Sequence, residues 1–521
     1  MFTTSNNQRL NRLVYVGLAL VIATLFELFV TKSPYSGLGV FLMIVLFGTG
    51  FTLLTKYTGH LNNRWALWFL VPIFILAFDL MLYNNALVVY FLPLVIFILS
   101  VIFTVILTVK NENKFVFYLK NIPVVKNVFV AIKNFGVVFG DLFSWSKKEE
   151  HNETYKQIAI GLALAVPVLL LFTLLFAGAD KIFSQTLEKL FSWHLNLETF
   201  FRIFRIALIT FFVSAFFYTL IGRENVLKDG IKIRQKISVT VGSIVLTLVN
   251  ILFAIFVFIQ IKYLFGAHDF VIENGITFAE YARSGFFQLV WVMVFSAVLL
   301  LIFYYSAAHH GKNKFVTALK LILILQIFVI AISALKRMNL YQAEYGYTTL
   351  RLYVEWFIYF AGVIFFALGV AIITNYSFRK FFYGGLILSL AVFTLVASLN
   401  VDAIIAKKNI DRFLTENKKM DLGYLMYQLS VDAIPEIVRL NQYIGLKKVE
   451  PLPSNWAETV DYTKVDYNAV QKSDIQVLAP WYSSELNHKR NEIYSQIISL
   501  HHFNLNAQRA LNAINSLDVK L

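Results

Sequence analysis

Two stretches of this chain put acid and base where an apolar run is about to begin. In FAEYARSGFFQLVWV (278–292) the groups are Glu280, Tyr281 and Arg283, and in KRMNLYQAEYGYTTLRLYVEW (336–356) they are Arg337, Tyr341, Glu344, Thr348, Arg351 and Glu355. A carboxylate so placed can take or give a proton, and a guanidinium can grip phosphate or carboxylate through two parallel hydrogen bonds. The second set steps by four, three, four, three and four, which is one side of a helix as long as Gly346 does not break it. Glu280 and Arg283 are three apart and share a face in the same way. Asn400 and Asp402 close a later apolar run. Ionisable groups near hydrocarbon are costly and turn toward a bundle interior or a wet cavity, where they pair. The polar head of FAEYAR is therefore expected to pack on the Arg337–Glu355 stripe. The pattern fits a structural clamp, or a binding or catalytic cleft. A third reading spreads the charges singly through the headgroup layer, where Arg snorkels at little cost.

Other chemistry is thinly represented. No HExxH zinc motif, Walker phosphate loop or GxGxxG fingerprint occurs, and no GxSxG nucleophile elbow. The chain has no Cys, which excludes thiolate ligands and a Cys nucleophile. Neither a metal nor a cofactor is expected. His309–His310 reads as solvated loop and His501–His502 as helix surface. Glu27 and Asp79, near the ends of the first and third apolar runs, could form a proton-relay pair, though such relays normally lie deeper.

The elements that must hold these groups are membrane helices. Hydrophobic residues make up 58% of the chain, charged ones 15%, and the mean hydropathy is +0.66. Soluble domains carry about 25% charged residues. Fifty-one Phe against nine Pro fit long lipid-facing helices better than the short strands of a barrel. Apolar runs of membrane-crossing length predict about eleven transmembrane helices, near 13–30, 36–55, 65–82, 86–109, 157–178, 200–221, 238–261, 284–307, 315–334, 352–375 and 382–399. The first lacks a small-residue cleavage site and is expected to be retained. The fold class is thus all-α: a polytopic helical bundle over 1–399 and a mainly helical soluble domain over 400–521.

Charge gives the orientation. The net charge of +15 is read as Lys and Arg gathered on cytoplasmic loops, not as a nucleic-acid surface. The 110–156 and 222–236 connections are rich in Lys and Arg, and alternate connections are poor in them. This predicts a cytoplasmic N-terminus and, with an odd span count, an extracytoplasmic C-terminal domain. The one exception is the outward segment with Lys336 and Arg337. Segment 180–195 reads as interfacial, and 115–145 reads either as interfacial, within a 110–156 connection suited to anionic lipid, or as a cytoplasmic loop packed on the bundle. In the tail, two helices are expected with a polar turn near 416–421, then a long helix from Ser484 to Ile514. A usage rich in Lys, Asn, Phe and Ile points to a bacterial source, and so to the cytoplasmic (inner) membrane.

Four ordered blocks carry a resemblance: FAEYARSGFFQL, ALKRMNLYQAEYGYTTLRLYV, NVDAIIAKKNI and DLGYLMYQLSVDAIPEIV. Together they resemble a group of bacterial multi-pass membrane proteins, the domain of unknown function 4173, with 4153 as a close relation. The tail segment HFNLNAQRALNAI is similar to that family's closing helix. The resemblance covers about residues 270–440 and implies an integral membrane protein with no established reaction. It singles out Glu280, Tyr281, Arg283, Arg337, Tyr341, Glu344, Gly346, Thr348, Arg351, Asn400, Asp402 and Asn409, among others. Val401 stands where the family usually has Pro, so the turn leaving the last span is expected to be looser here.

Three functions follow. The first is a scaffold or sensor-like membrane protein whose charge cluster docks the C-terminal domain, with a protein partner left open. The second is a transporter or lipid-handling protein using the Glu280–Arg351 cleft, with a cavity lined by groups such as Asn250, Gln260 or Gln288. The third is an intramembrane enzyme on a lipid-linked substrate, with Glu280 or Glu344 as acid–base and Arg337 or Arg351 on phosphate.

Overall fold

The computed structural model describes residues 2–29, 37–109, 197–221, 243–254, 257–258, 286–307, 313–446, 449, 467, 469–472, 475–496 and 503–518. These fall into two compact units, Met1–Ile231 with Gln496–Leu505, and Lys232–Ser495 with Asn506–Leu521.

The first unit is built from α1 (Phe2–Phe29), α2 (Leu38–Tyr57), α3 (Leu70–Leu82, entered through a 3-10 turn), α4 (Leu92–Thr108) and α5 (Leu197–Ile221). α1 and α5 pack through small residues, with Ala19, Ala23, Ser214 and Ala215 fully buried. Without a hydrophobic drive between helices in lipid, close backbone approach at small residues is what makes such contacts hold. Tyr15, Phe51, Phe103 and Phe217 fill the centre edge to face or tilted, and the Tyr15 hydroxyl lies 2.7 Å from Thr58 Oγ1. The last carbonyls of α4 lack helical donors. Asn62 and Asn63 supply them, Nδ2 of Asn62 to Thr108 O at 2.6 Å and Nδ2 of Asn63 to Val109 O at 2.8 Å. The 503–504 segment also belongs to this unit, where Leu38 N donates to Phe503 O and Asn84 Nδ2 donates to Asn504 Oδ1.

The second unit contains α6 (Ser243–Ala254), α7 (Phe286–Ala307), α8 (Lys314–Tyr345), α9 (Thr349–Ile373) and α10 (Phe378–Ala397). It continues with α11 (Val401–Glu416), α12 (Leu422–Tyr427), short turns over 431–444, α13 (Ala479–Gln496) and most of α14 (Leu505–Asp518). α8 buries Leu323, Ile327, Ile330 and Ala334, spaced four, three and four, so one face makes the core. Leu325 and Ile332 on α8 and Val363 and Phe366 on α9 are more than half exposed. An apolar outer face repeated along helices of this length is a surface made for lipid.

Seven helices among the described residues are long and apolar enough to cross a membrane. They coincide with the runs expected at 13–30, 36–55, 65–82, 86–109, 315–334, 352–375 and 382–399. Shorter apolar helices occupy 205–218, 243–254 and 290–304, and the run at 157–178 lies outside the described residues, as do 115–145 and 180–195. α8 runs past the apolar stretch to Tyr345, so the 337–344 spacing is helical as expected. One expectation changes. The long tail helix is two, since Phe503 and Asn504 are non-helical. The polar turn near 416–421 is present, with Asn417 left-handed at the end of α11.

Candidate functional site

The candidate site grows from one residue, Gly346. It ends α8 with φ +77° and ψ −179°, a backbone region essentially restricted to glycine. A Cβ there would also stand 2.5 Å from Asn409 Oδ1 and 2.8 Å from Arg412 Nη1. Gly346 therefore does break the stripe: α8 ends at Tyr345 and α9 starts at Thr349, so Arg337, Tyr341 and Glu344 sit on one helix and Arg351 and Glu355 on the next.

α11 brings its polar face to this corner. Asn409 brackets the peptide groups of Tyr347, accepting from its N–H at 2.7 Å and donating to its carbonyl at 2.8 Å. Arg412, 8% exposed, donates from Nη2 to the carbonyls of Ala343 and Glu344 at the end of α8. Carbonyls there have no helical donor and carry the negative end of the helix dipole, so a buried guanidinium is well matched to them. From α9, Arg351 Nη1 donates to Gly346 O at 2.5 Å and Tyr345 O at 3.1 Å, and its guanidinium lies 3.9 Å from the Tyr341 ring centre. Lys408 covers the Tyr347 ring at 4.3 Å. Glu355 accepts from buried Gln342 Nε2 at 2.9 Å, which joins α9 to α8. Glu344 meets Lys418 at 3.3 Å, both exposed, a pair of little energetic weight. Thr348 is the residue before α9, and its carbonyl accepts from Leu352 N.

Asn400 and Asp402 open α11. Asn400 Oδ1 accepts from Ala403 N at 3.1 Å, and Val401 N donates to Leu399 O at 2.9 Å. Proline could not make that second bond. The turn with Val401 is thus tied where a looser one was expected. Asp402 is 4% exposed and accepts from Ser430 N at 2.8 Å, fixing the 431–444 turns to α11. Burial pushes its carboxyl above the ordinary aspartate range, and the Ser430 hydrogen bonds offset part of that rise. Tyr424 of α12 completes the set, its hydroxyl accepting from Thr349 N at 2.9 Å.

Of the residues singled out in the sequence, Tyr341, Glu344, Thr348, Arg351 and Glu355 meet at the α8–α9 corner, and Arg337 lies half-buried on α8 about two turns before its end. Asn400 and Asp402 sit on the helix that grips it. Glu280, Tyr281 and Arg283 lie outside the described residues. Composition reasoning passed over Arg412, Gln342, Tyr424 and Ser430. A signal was present, since Asp402, Asn409 and Arg412 step by seven and three on the face that also buries Ile405 and Phe413.

Three further buried polar groups lie in the apolar runs, of which Glu27 and Asn250 stood out in the sequence and Lys320 did not. Glu27, 1% exposed, receives both Nε (2.9 Å) and Nη2 (2.5 Å) of Arg205 on α5. Lys320, 2% exposed, donates to Phe303 O at 3.1 Å. Asn250 donates to Leu246 O and to Leu319 O at 3.0 Å, and its own carbonyl accepts from Gln326, so it ties α6 to α8. Gln260 and the Gln288 side chain lie outside the described residues.

The corner and the helix that grips it lie inside one family match. The profile described as Domain of unknown function (DUF4153) matches residues 13–440, well over half of the 521. The chain belongs to that family. The resemblance placed 4173 first with 4153 as its relation; the matching profile is that of 4153, and it extends from residue 13, well before the stretch that carries the resemblance. Neither a curated protein nor a solved structure matches. The match ends at Leu440, so α13 and α14 lie beyond it.

Proposed function

We propose that this DUF4153 member is a membrane scaffold or sensor-like protein whose charge cluster docks the tail helices onto the membrane bundle. One observation carries the reading: three side chains of the corner, Arg412, Asn409 and Arg351, are engaged with backbone groups of the same unit. Arg412 holds the last carbonyls of α8, Asn409 both peptide groups of Tyr347, and Arg351 the carbonyl of Gly346. A substrate cleft needs such groups presented to a ligand. Here they are spent on shape. In this reading the bundle has about eleven spans in a bacterial inner membrane, with the N-terminus cytoplasmic and the 400–521 region outside. The Lys-rich 110–156 and 222–236 connections support that orientation, and anionic lipid is the partner proposed for 110–156. Glu280 and Arg283 are taken to face the same corner.

The test removes the grip and leaves the volume. Arg412→Met together with Asn409→Leu in the full chain, in detergent, is expected to expose the 401–446 segment to limited proteolysis while the long apolar helices stay protected. Wild-type protection of 401–446 in the double variant overturns the docking role.

A further inference from the structure

Three membrane-length helices meet at one corner of the first unit. Leu38–Tyr57 finishes there, Arg64–Leu82 starts there, and Leu87–Thr108 finishes there. The link between the first two ties all three ends together. Asn62 N and Asn63 N donate to Leu107 O, Asn62 Nδ2 to Thr108 O, and Asn63 Nδ2 to Ile106 O and Val109 O. Thr58 Oγ1 lies 2.7 Å from the Tyr15 hydroxyl of α1, which brings in a fourth helix one turn from Arg12. The 20 residues of α2 span about 30 Å, the thickness of the hydrocarbon layer. A corner at the end of such a helix lies at the level of lipid headgroups.

What the corner presents at that level is cationic and aromatic. Lys56 and Arg64 are both exposed, and the stretch 56–69 that carries them holds no Asp or Glu. Tyr57 is 81% exposed, Trp68 77% and Trp65 43%. Trp and Tyr concentrate at the membrane–water boundary, because each joins an apolar ring to one polar group. The last carbonyls of α4, which would repel an anion, are already covered by Asn62 and Asn63. A zwitterionic headgroup carries an ammonium beside its phosphate, and repulsion from Lys56 and Arg64 offsets part of its attraction. An anionic headgroup keeps the attraction undivided. We propose that this corner is a site for an anionic phospholipid, with Arg64 and Lys56 on the headgroup phosphate and Tyr57, Trp65 and Trp68 against the glycerol and upper acyl chains. Arg64 is the stronger of the two cations for this task, since a planar guanidinium can give a phosphate two hydrogen bonds. The tied link fixes the backbone that carries both, so less ordering is left for the moment of binding. The site uses none of the residues of 110–156, the connection for which anionic lipid is proposed above, and stands or falls without it.

The experiment places the full chain in nanodiscs of mixed phosphatidylcholine and phosphatidylglycerol, with bromine on the acyl chains of one lipid and then of the other. Quenching of Trp65 and Trp68 is read as the difference between the wild type and Trp65→Phe with Trp68→Phe, and gives the lipid preference at the corner. The wild type is expected to prefer phosphatidylglycerol about tenfold or more, and Arg64→Gln to lower that preference about fivefold, with a smaller fall in Lys56→Gln. Both positions are on the surface, where such substitutions leave the fold intact. Lys114→Gln with Lys120→Gln, in the 110–156 connection, should leave the preference unchanged. Equal quenching by the two lipids in the wild type overturns the proposal. So does a preference that survives Arg64→Gln with Lys56→Gln, and one lost only in the 110–156 variant moves the lipid site to that connection.

Discussion

Glu27 and Arg412 are both charges nearly sealed from solvent, yet they are satisfied in different ways. Glu27 in the first unit meets an opposite charge, Arg205, through two parallel hydrogen bonds. Arg412 in the second unit meets backbone carbonyls that the end of α8 leaves without donors. An ion pair depends on its two side chains and can be rebuilt by replacing both. A grip on the backbone depends on the path of the chain, and here that path turns on one glycine. The first arrangement joins two helices; the second fixes a bend.

The strongest way to break the contrast is Gly346→Ala. It forces a side chain into a glycine-only conformation and into Asn409 and Arg412. A loss of about 3 kcal/mol or more is expected, read as a fall in the thermal midpoint of the detergent-solubilised chain. A variant as stable as wild type would show that the bend is not fixed by this residue.

A smaller loss is expected from Arg205→Ala. Breaking a buried pair usually costs about 3–5 kcal/mol, and solvent around half-exposed Arg205 should reduce this to about 2 kcal/mol. Glu27→Leu with Arg205→Leu should recover most of that loss, because no buried charge is then left alone. No such rescue exists for the Gly346 corner, so the double variant sharpens the comparison directly.

The smallest effect is a slope. Burial raises the folded-state pKa of Asp402 above its ordinary 3.8, so the folded chain holds this proton more tightly than the unfolded one. The stability it contributes is full below the ordinary value and is lost as pH rises through the raised one. Asp402→Asn removes that term while keeping an acceptor for Ser430 N. Thermal midpoints measured across the acid range should fall less steeply with rising pH in the variant than in the wild type, and parallel curves would remove Asp402 from the account.

Much of this was legible in the residues. Apolar runs of the right length gave away seven membrane-length helices, because in a bundle facing lipid both the buried and the outer faces are hydrophobic. The Arg337–Glu355 stripe was visible as spacing, and Gly346 was visible as the point where it could fail. Spacing cannot tell whether a glycine continues a helix or ends it; that depends on Asn409 and Arg412, more than sixty residues away. Arg205 was hidden for a related reason, as an Arg near the start of an apolar run reads as a snorkelling side chain until its partner on α1 is seen. Lys320 was missed in the same way. The tail was read as one long helix because Ile493 and Leu511 keep a common periodicity across Phe503 and Asn504, which leave the helix to hydrogen-bond elsewhere.

The 32 residues of α8 make a rod about 48 Å long at 1.5 Å per residue, whereas the hydrocarbon layer is about 30 Å thick. Such a rod must lean or project, and the choice depends on bilayer thickness. Its last turn is the one that Arg412 holds, so whatever lies beyond the hydrocarbon at that end of the rod is bound to α11.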